Sequence, residues 1–148
     1  MNSMFNSPFE LSLRIIILMK IKNSRVTVDW LSCLDFVITY GKDFKISEFN
    51  LHGDNDYRFS EYAAKREVVG RAVKELVLRG YIKPHCNKSG FYYSITSSGI
   101  KLCEALNDEY AENYEKIAEK AISYFANYTD RKLMNCINEK AILALGGK

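Results

Sequence analysis

Little in this sequence could anchor catalysis or hold a metal: among 148 residues there are two histidines, His52 and His85, and four cysteines. None of Cys33, Cys86, Cys103 and Cys136 belongs to a C-x-x-C pair of the kind that marks zinc or redox motifs, so reduced thiols are expected. Three of the four fall on apolar faces of predicted helices, where a free cysteine behaves as a small hydrophobe. A phosphate-cradling glycine loop and a G-x-S-x-G nucleophile elbow are both missing. Long hydrophobic runs are missing as well. The longest aliphatic stretch, Ile15 to Met19, is five residues enclosed by Arg14 and Lys20, whereas a membrane-spanning helix needs roughly 20. Arg14 interrupts that stretch and no small-residue cleavage site follows it, so no secretory signal is read. A cytoplasmic protein that does not enter the membrane is the expectation.

What the chain does have is core material. Hydrophobic residues make up 47% and aromatics 13%, with ten Tyr and eight Phe, enough to build one globular unit without help from disulfides. Ser7-Pro8-Phe9-Glu10 opens a first helix as a capping box with proline in the first turn. From Leu11 to Ile21 only Ser12, Arg14 and Lys20 are polar, so this helix is expected at the centre of the core or under a partner. A second helix from about Thr27 to Tyr40 carries Trp30, Leu34, Val37 and Ile38 on its apolar stripe and ends at Gly41. A polar connection, Lys42 to Tyr57, follows. Ser60 is positioned to cap a third helix that reaches Arg79, with Val69, Ala72, Val73, Leu76 and Val77 on one face and Gly80 at its stop.

Two β-prone runs, Tyr81-Ile82-Lys83 and Phe91-Tyr92-Tyr93-Ser94-Ile95, then flank a turn containing Lys88, Ser89 and Gly90, which predicts a hairpin with a basic tip. Ser97-Ser98-Gly99 leads into a long predicted helix whose apolar positions run from Ile100 through Tyr128, and a last helix spans about Asp130 to Leu145 with Leu133, Ile137, Ala141 and Ala144 in register. The predicted fold is mostly α with a small β-hairpin. Its order is that of a winged helix-turn-helix core over residues 1–96, followed by two C-terminal helices over 97–148 that pack on that core or on a partner. The run from Leu76 to Ile82 and the step Thr96-Ser97-Ser98-Gly99 resemble the corresponding region of MarR-like and PadR-like winged helices.

Charge tests whether such a core reads DNA. Residues 59–103 carry a net +5 and residues 104–128 a net −4. Lys65, Arg66, Arg71, Lys74 and Lys88 are the candidate phosphate contacts, but Glu61, Glu67 and Glu75 lie on the same helix and would repel a polyanion. The start of that helix offers Glu61, Tyr62, Ala63 and Ala64 where a base-reading helix presents Arg, Asn or Gln. In the connection, His52, Asp54 and Asp56 have ligand chemistry but no second histidine nearby, and short clusters of this kind usually form turns, so no metal or cofactor is expected. No residue set is expected to be catalytic. The stripe Tyr110, Tyr114, Ile117, Tyr124 and Tyr128 repeats at three- and four-residue spacing and combines apolar area with polar tips, which makes it the candidate partner interface.

Most of the chain resembles the middle component of bacterial ABC-type three-component systems, which overlap Lamassu-type anti-phage and anti-plasmid defence. The resemblance is carried by Asn6 to Leu13, by Leu34-Asp35-Phe36 with Thr39 to Phe44, and by Asn50 to Asn55. Phe59 to Tyr62 with Arg66-Glu67, and Gly90 to Tyr93, complete it. It implies a winged-helix adaptor without catalysis of its own, seated between an SMC-like ABC ATPase and an effector, often a nuclease, with any DNA contact made through the complex. The competing expectation is a MarR- or PadR-like regulator that binds an operator as a homodimer.

Overall fold

A computed structural model describes residues 7–53 and 57–146. Asn6, Asp54, Asn55 and Asp56, which carry part of the resemblance and of the loop considered for a metal, lie outside the described residues. The elements run α1 (Pro8–Lys22), α2 (Val28–Thr39), a 3-10 turn (Gly41–Phe44), α3 (Arg58–Leu78), β1 (Ile82–Asn87), β2 (Gly90–Ile95), α4 (Ser97–Glu104), α5 (Glu109–Tyr124) and α6 (Asp130–Gly146). The chain is therefore mostly helical with one small antiparallel hairpin, as its pattern indicates.

The helix ends follow local chemistry. Ser7 Oγ accepts from the Glu10 N–H with Pro8 in the first turn, and Thr27 Oγ1 accepts from the Trp30 N–H. At the end of α3, Gly80 takes φ 83°, the Tyr81 N–H bonds back to the Leu76 carbonyl, and the Gly80 N–H to that of Val77. That pair of bonds closes the helix and aims the chain into β1.

Both α1 and α2 are buried almost all round. Leu11, Arg14 and residues 15–19 of α1 are buried, as is every residue of α2 from Trp30 to Thr39. The first helix is thus a core helix, which settles the choice its composition left open, and α2 is its equal. Phe36 sits at the hub of an aromatic cluster with Tyr40, Phe44, Phe59 and Tyr62, ring centroids 5.1–6.1 Å apart. This cluster explains one departure from the sequence reading. Helix α3 starts at Arg58, not at Ser60, because Phe59 is drawn into the cluster and Arg58 is held by Asp43 at 2.5 and 3.1 Å; no side chain caps its first turn.

A second departure lies after the hairpin. The expected long helix is broken at residues 105–108 into α4 and α5, where Asp108 Oδ1 accepts from the Ala111 N–H at 2.7 Å and starts a new helix. The break lets α4 pack on α1 and β2 while α5 turns to pack on α1 and α2. Helix α6 covers the other side of α2 through the buried Leu133 and Ile137, and leaves the core beyond them, with Ile142 and Leu143 about 70% exposed.

The hairpin pairs Ile82 with Ile95 and Asn87 with Gly90 in register. A third, one-residue edge is added by Val26, which exchanges both backbone hydrogen bonds with Tyr93 at 2.8 and 2.9 Å. Its base is locked by Thr96, whose hydroxyl donates to the Gly80 carbonyl and accepts from the Gly99 N–H. Only glycine fits at 99, because a Cβ there would lie 2.4 Å from the Tyr81 carbonyl oxygen and 2.6 Å from the Ile95 side chain.

Candidate functional site

The most concentrated polar chemistry in the molecule is a buried cluster centred on Asp35. Arg14 of α1 donates to its carboxylate through two nitrogens at 2.8 and 3.1 Å, Lys65 of α3 stands 2.7 Å away, and the Tyr114 hydroxyl of α5 donates at 2.6 Å. Asp35 is fully buried and Arg14 is 2% exposed. Burial opposes the Asp35 charge, but the cations Arg14 and Lys65 and their hydrogen bonds prevail and hold its carboxyl well below the usual carboxylate range. Burial likewise opposes the Arg14 charge, and Asp35 overrides it.

The cluster continues outward through Tyr110, whose hydroxyl is 2.7 Å from His52 Nε2. Burial and the nearby Arg14 charge lower the His52 pKa to about 4, so the ring is neutral at pH 7. Burial also raises the Tyr110 and Tyr114 hydroxyls above their ordinary value. Four helices therefore meet on one carboxylate, and the connection joins α5 beside it through His52 and Tyr110. Its lone pairs are occupied by donors of the chain itself, which makes it a clamp between elements and a poor base for a substrate.

The residues singled out in the sequence fall into two groups. Of the candidate phosphate contacts, Lys65 is turned inward onto Asp35, Arg66 pairs with Asp29 of α2, and Arg71 pairs with Glu67 at 3.4 Å; Lys74 and Lys88 are exposed, and neither forms an ion pair among the described residues. Arg58 at the start of α3 and Arg79 just past its end have carboxylate neighbours in Asp43 and Glu75. Apart from Lys74, the helix thus carries its cations already matched by acids. Of the aromatic stripe, Tyr114 and Ile117 are buried inside the chain's own core and Tyr110 is half-buried against His52. Tyr128 packs edge-on to Phe125 under Lys132, and Tyr124 alone is strongly exposed. The break at 105–108 turns most of the stripe inward.

What the sequence did not reveal is an open apolar groove of about 570 Å3 between α1, α3 and α4. Phe9 and Leu13 line it from α1, Val68, Ala72 and Leu76 from α3 and Leu102 from α4; Arg71, Glu75 and Arg79 also line it. Phe9 is 70% exposed there. Its signal was faint, since Phe9 and Val68 each look like ordinary surface positions beside a helix stripe.

Among the described residues no group of three His, Cys, Asp or Glu side chains could hold a metal. Nor is any helix among them long and apolar enough to cross a membrane. The Cys33 thiol is buried, and burial pushes its pKa up to about 12, so it is inert rather than nucleophilic.

Residues 4–145 match the family described as ABC-three component (ABC-3C) system Middle Component 2. The chain belongs to that family. No curated protein and no solved structure matches it. As a middle component of a three-component system, it works with partner components, and the surfaces left open on this fold are where those partners must be sought.

Proposed function

We propose that this middle component is a non-catalytic winged-helix adaptor of a cytoplasmic, Lamassu-like defence complex, bridging an SMC-like ABC ATPase and an effector such as a nuclease. The winged-helix reading is supported by the element order helix, single bridge, helix, helix, hairpin, with Val26 supplying the short third edge between the first two helices. The adaptor reading is carried by one observation: the buried polar cluster on Asp35 is saturated by the chain's own donors, whereas an apolar groove stands open beside an exposed phenylalanine. An exposed apolar recess of this kind is a docking feature for the apolar face of a partner helix.

The regulator reading gains less support, because four cations of α3 and Arg79 just beyond it are matched by carboxylates, and the helix presents little unopposed positive charge to an operator. The groove is tested by Leu13→Asp and Val68→Asp in the chain co-expressed with the proteins encoded beside it. Both variants should keep the fold by circular dichroism and lose co-purification of a partner. Unchanged co-purification would remove the groove from the account.

A further inference from the structure

Among the described residues, the hairpin and the chain beside it gather exposed cations without carboxylate partners, whereas most cations of α3 are paired and only Lys74 there is not. Side chains directly opposite in an antiparallel pair share a face. Ile82, Ile95, Pro84 and Tyr93 therefore share one face of the hairpin, with Ile82 fully buried, while Lys83, Ser94, His85 and Tyr92 share the other. The Val26 bridge brings Arg25 alongside β2 on that outer side, and the charges of Arg25 and Lys83 both reach His85. Lys88 stands at the tip, and Lys22 follows at the end of α1 over the Trp30 ring. Arg25, Lys83 and Lys88 are exposed, and no carboxylate pairs with them among the described residues. The interleaved groups are hydrogen-bonding and aromatic: His85 Nε2 is 2.7 Å from Ser94 Oγ, with Tyr92 beside them.

We infer that the outer face of the hairpin, through Arg25, Lys83 and Lys88, binds the phosphate backbone of duplex DNA without regard to sequence. Two features favour a nucleic acid over an acidic protein segment. The face formed by Lys83, Ser94, His85 and Tyr92 presents no aliphatic side chain, and its single-sign charge interleaved with hydrogen-bonding groups is the composition of nucleic-acid contacts. The inference stands independently of which proteins occupy the groove.

The test is fluorescence anisotropy of the full chain with a labelled 25-base-pair duplex, titrated at several potassium chloride concentrations. Three phosphate contacts predict roughly a 40-fold loss of affinity between 50 and 200 mM salt. Arg25→Glu and Lys83→Glu should each weaken binding about tenfold or more at low salt and reduce the logarithmic salt slope by about one, alike for A·T-rich and G·C-rich duplexes. Arg71→Glu and Lys74→Glu on α3 should leave both quantities unchanged. All four positions are exposed, so melting temperatures should stay close to that of the parent chain. Loss of binding from the α3 pair with none from the hairpin pair would overturn the inference. So would polyglutamate of equal charge binding more tightly than the duplex, which would assign the patch to an acidic protein partner.

Discussion

Replacing Asp35 with alanine removes the single acceptor on which Arg14, Lys65 and Tyr114 converge and strands a guanidinium that is 2% exposed. Breaking a buried pair by deleting one partner costs about 3–5 kcal/mol, because the remaining charge has neither water nor counter-charge. For a chain of this size that corresponds to a fall of roughly 10–20 °C in Tm. Lys65→Met should cost less, on the order of 1–2 kcal/mol, since Lys65 is 15% exposed and its loss leaves Asp35 with Arg14 and Tyr114. The double variant Arg14→Met with Asp35→Leu removes both charges and should recover much of the loss. Urea unfolding at pH 7, followed by circular dichroism, measures all of these on one scale. A loss below about 1 kcal/mol for Asp35→Ala, or a double variant no better than the sum of its singles, would refute the clamp.

The same cluster sets the acid response. The His52 pKa is lowered to about 4 in the folded chain, against an ordinary 6.5, so the unfolded chain takes up the proton first as pH falls. Stability should therefore drop between pH 6.5 and 4, by up to roughly 3 kcal/mol from this group, and His52→Gln should flatten the slope in that window; an equal slope in both chains would exclude His52 as its source. Asp35 has its pKa depressed, so its contribution is complete above pH 4 and is lost only below, which should appear as a second, more acidic decline absent from the double variant. Gly99→Ala should destabilise the fold by more than 1 kcal/mol, because the new methyl meets the Tyr81 carbonyl and Ile95; thermal unfolding unchanged from the parent would show that the base of the hairpin is looser than its geometry implies.

Where the sequence carried enough local information, the reading and the structure agree, and the reasons are specific. Ser7 and Gly80 end their helices as read, because capping depends on a few adjacent residues. The hairpin and its Thr96-to-Gly99 lock were visible for the same reason. The start of α3 was misjudged because Phe59 is claimed by the distant Phe36, a tertiary pull that outweighs the capping preference of Ser60. The break before α5 could have been suspected from Asn107-Asp108, but the continuing three- and four-residue spacing across it concealed that Tyr114 and Ile117 face inward. The Asp35 cluster leaves a clearer trace in the sequence: Arg14 and Asp35 are opposite charges that interrupt two apolar stretches, and two such interruptions are best explained by each other. The groove is a product of assembly, since its residues come from segments far apart in the chain, whereas the hairpin's basic tip was legible and only Arg25 is brought to that face by the fold.

Membership of a three-component family makes the assembly itself the decisive object. The most direct measurement is the native mass of the tagged chain purified after co-expression with the proteins encoded on either side of it. The account predicts a large complex containing an ABC-type ATPase, with this chain as a small subunit. A homodimer that carries no partner and binds a defined operator by itself would contradict it and establish the regulator in its place.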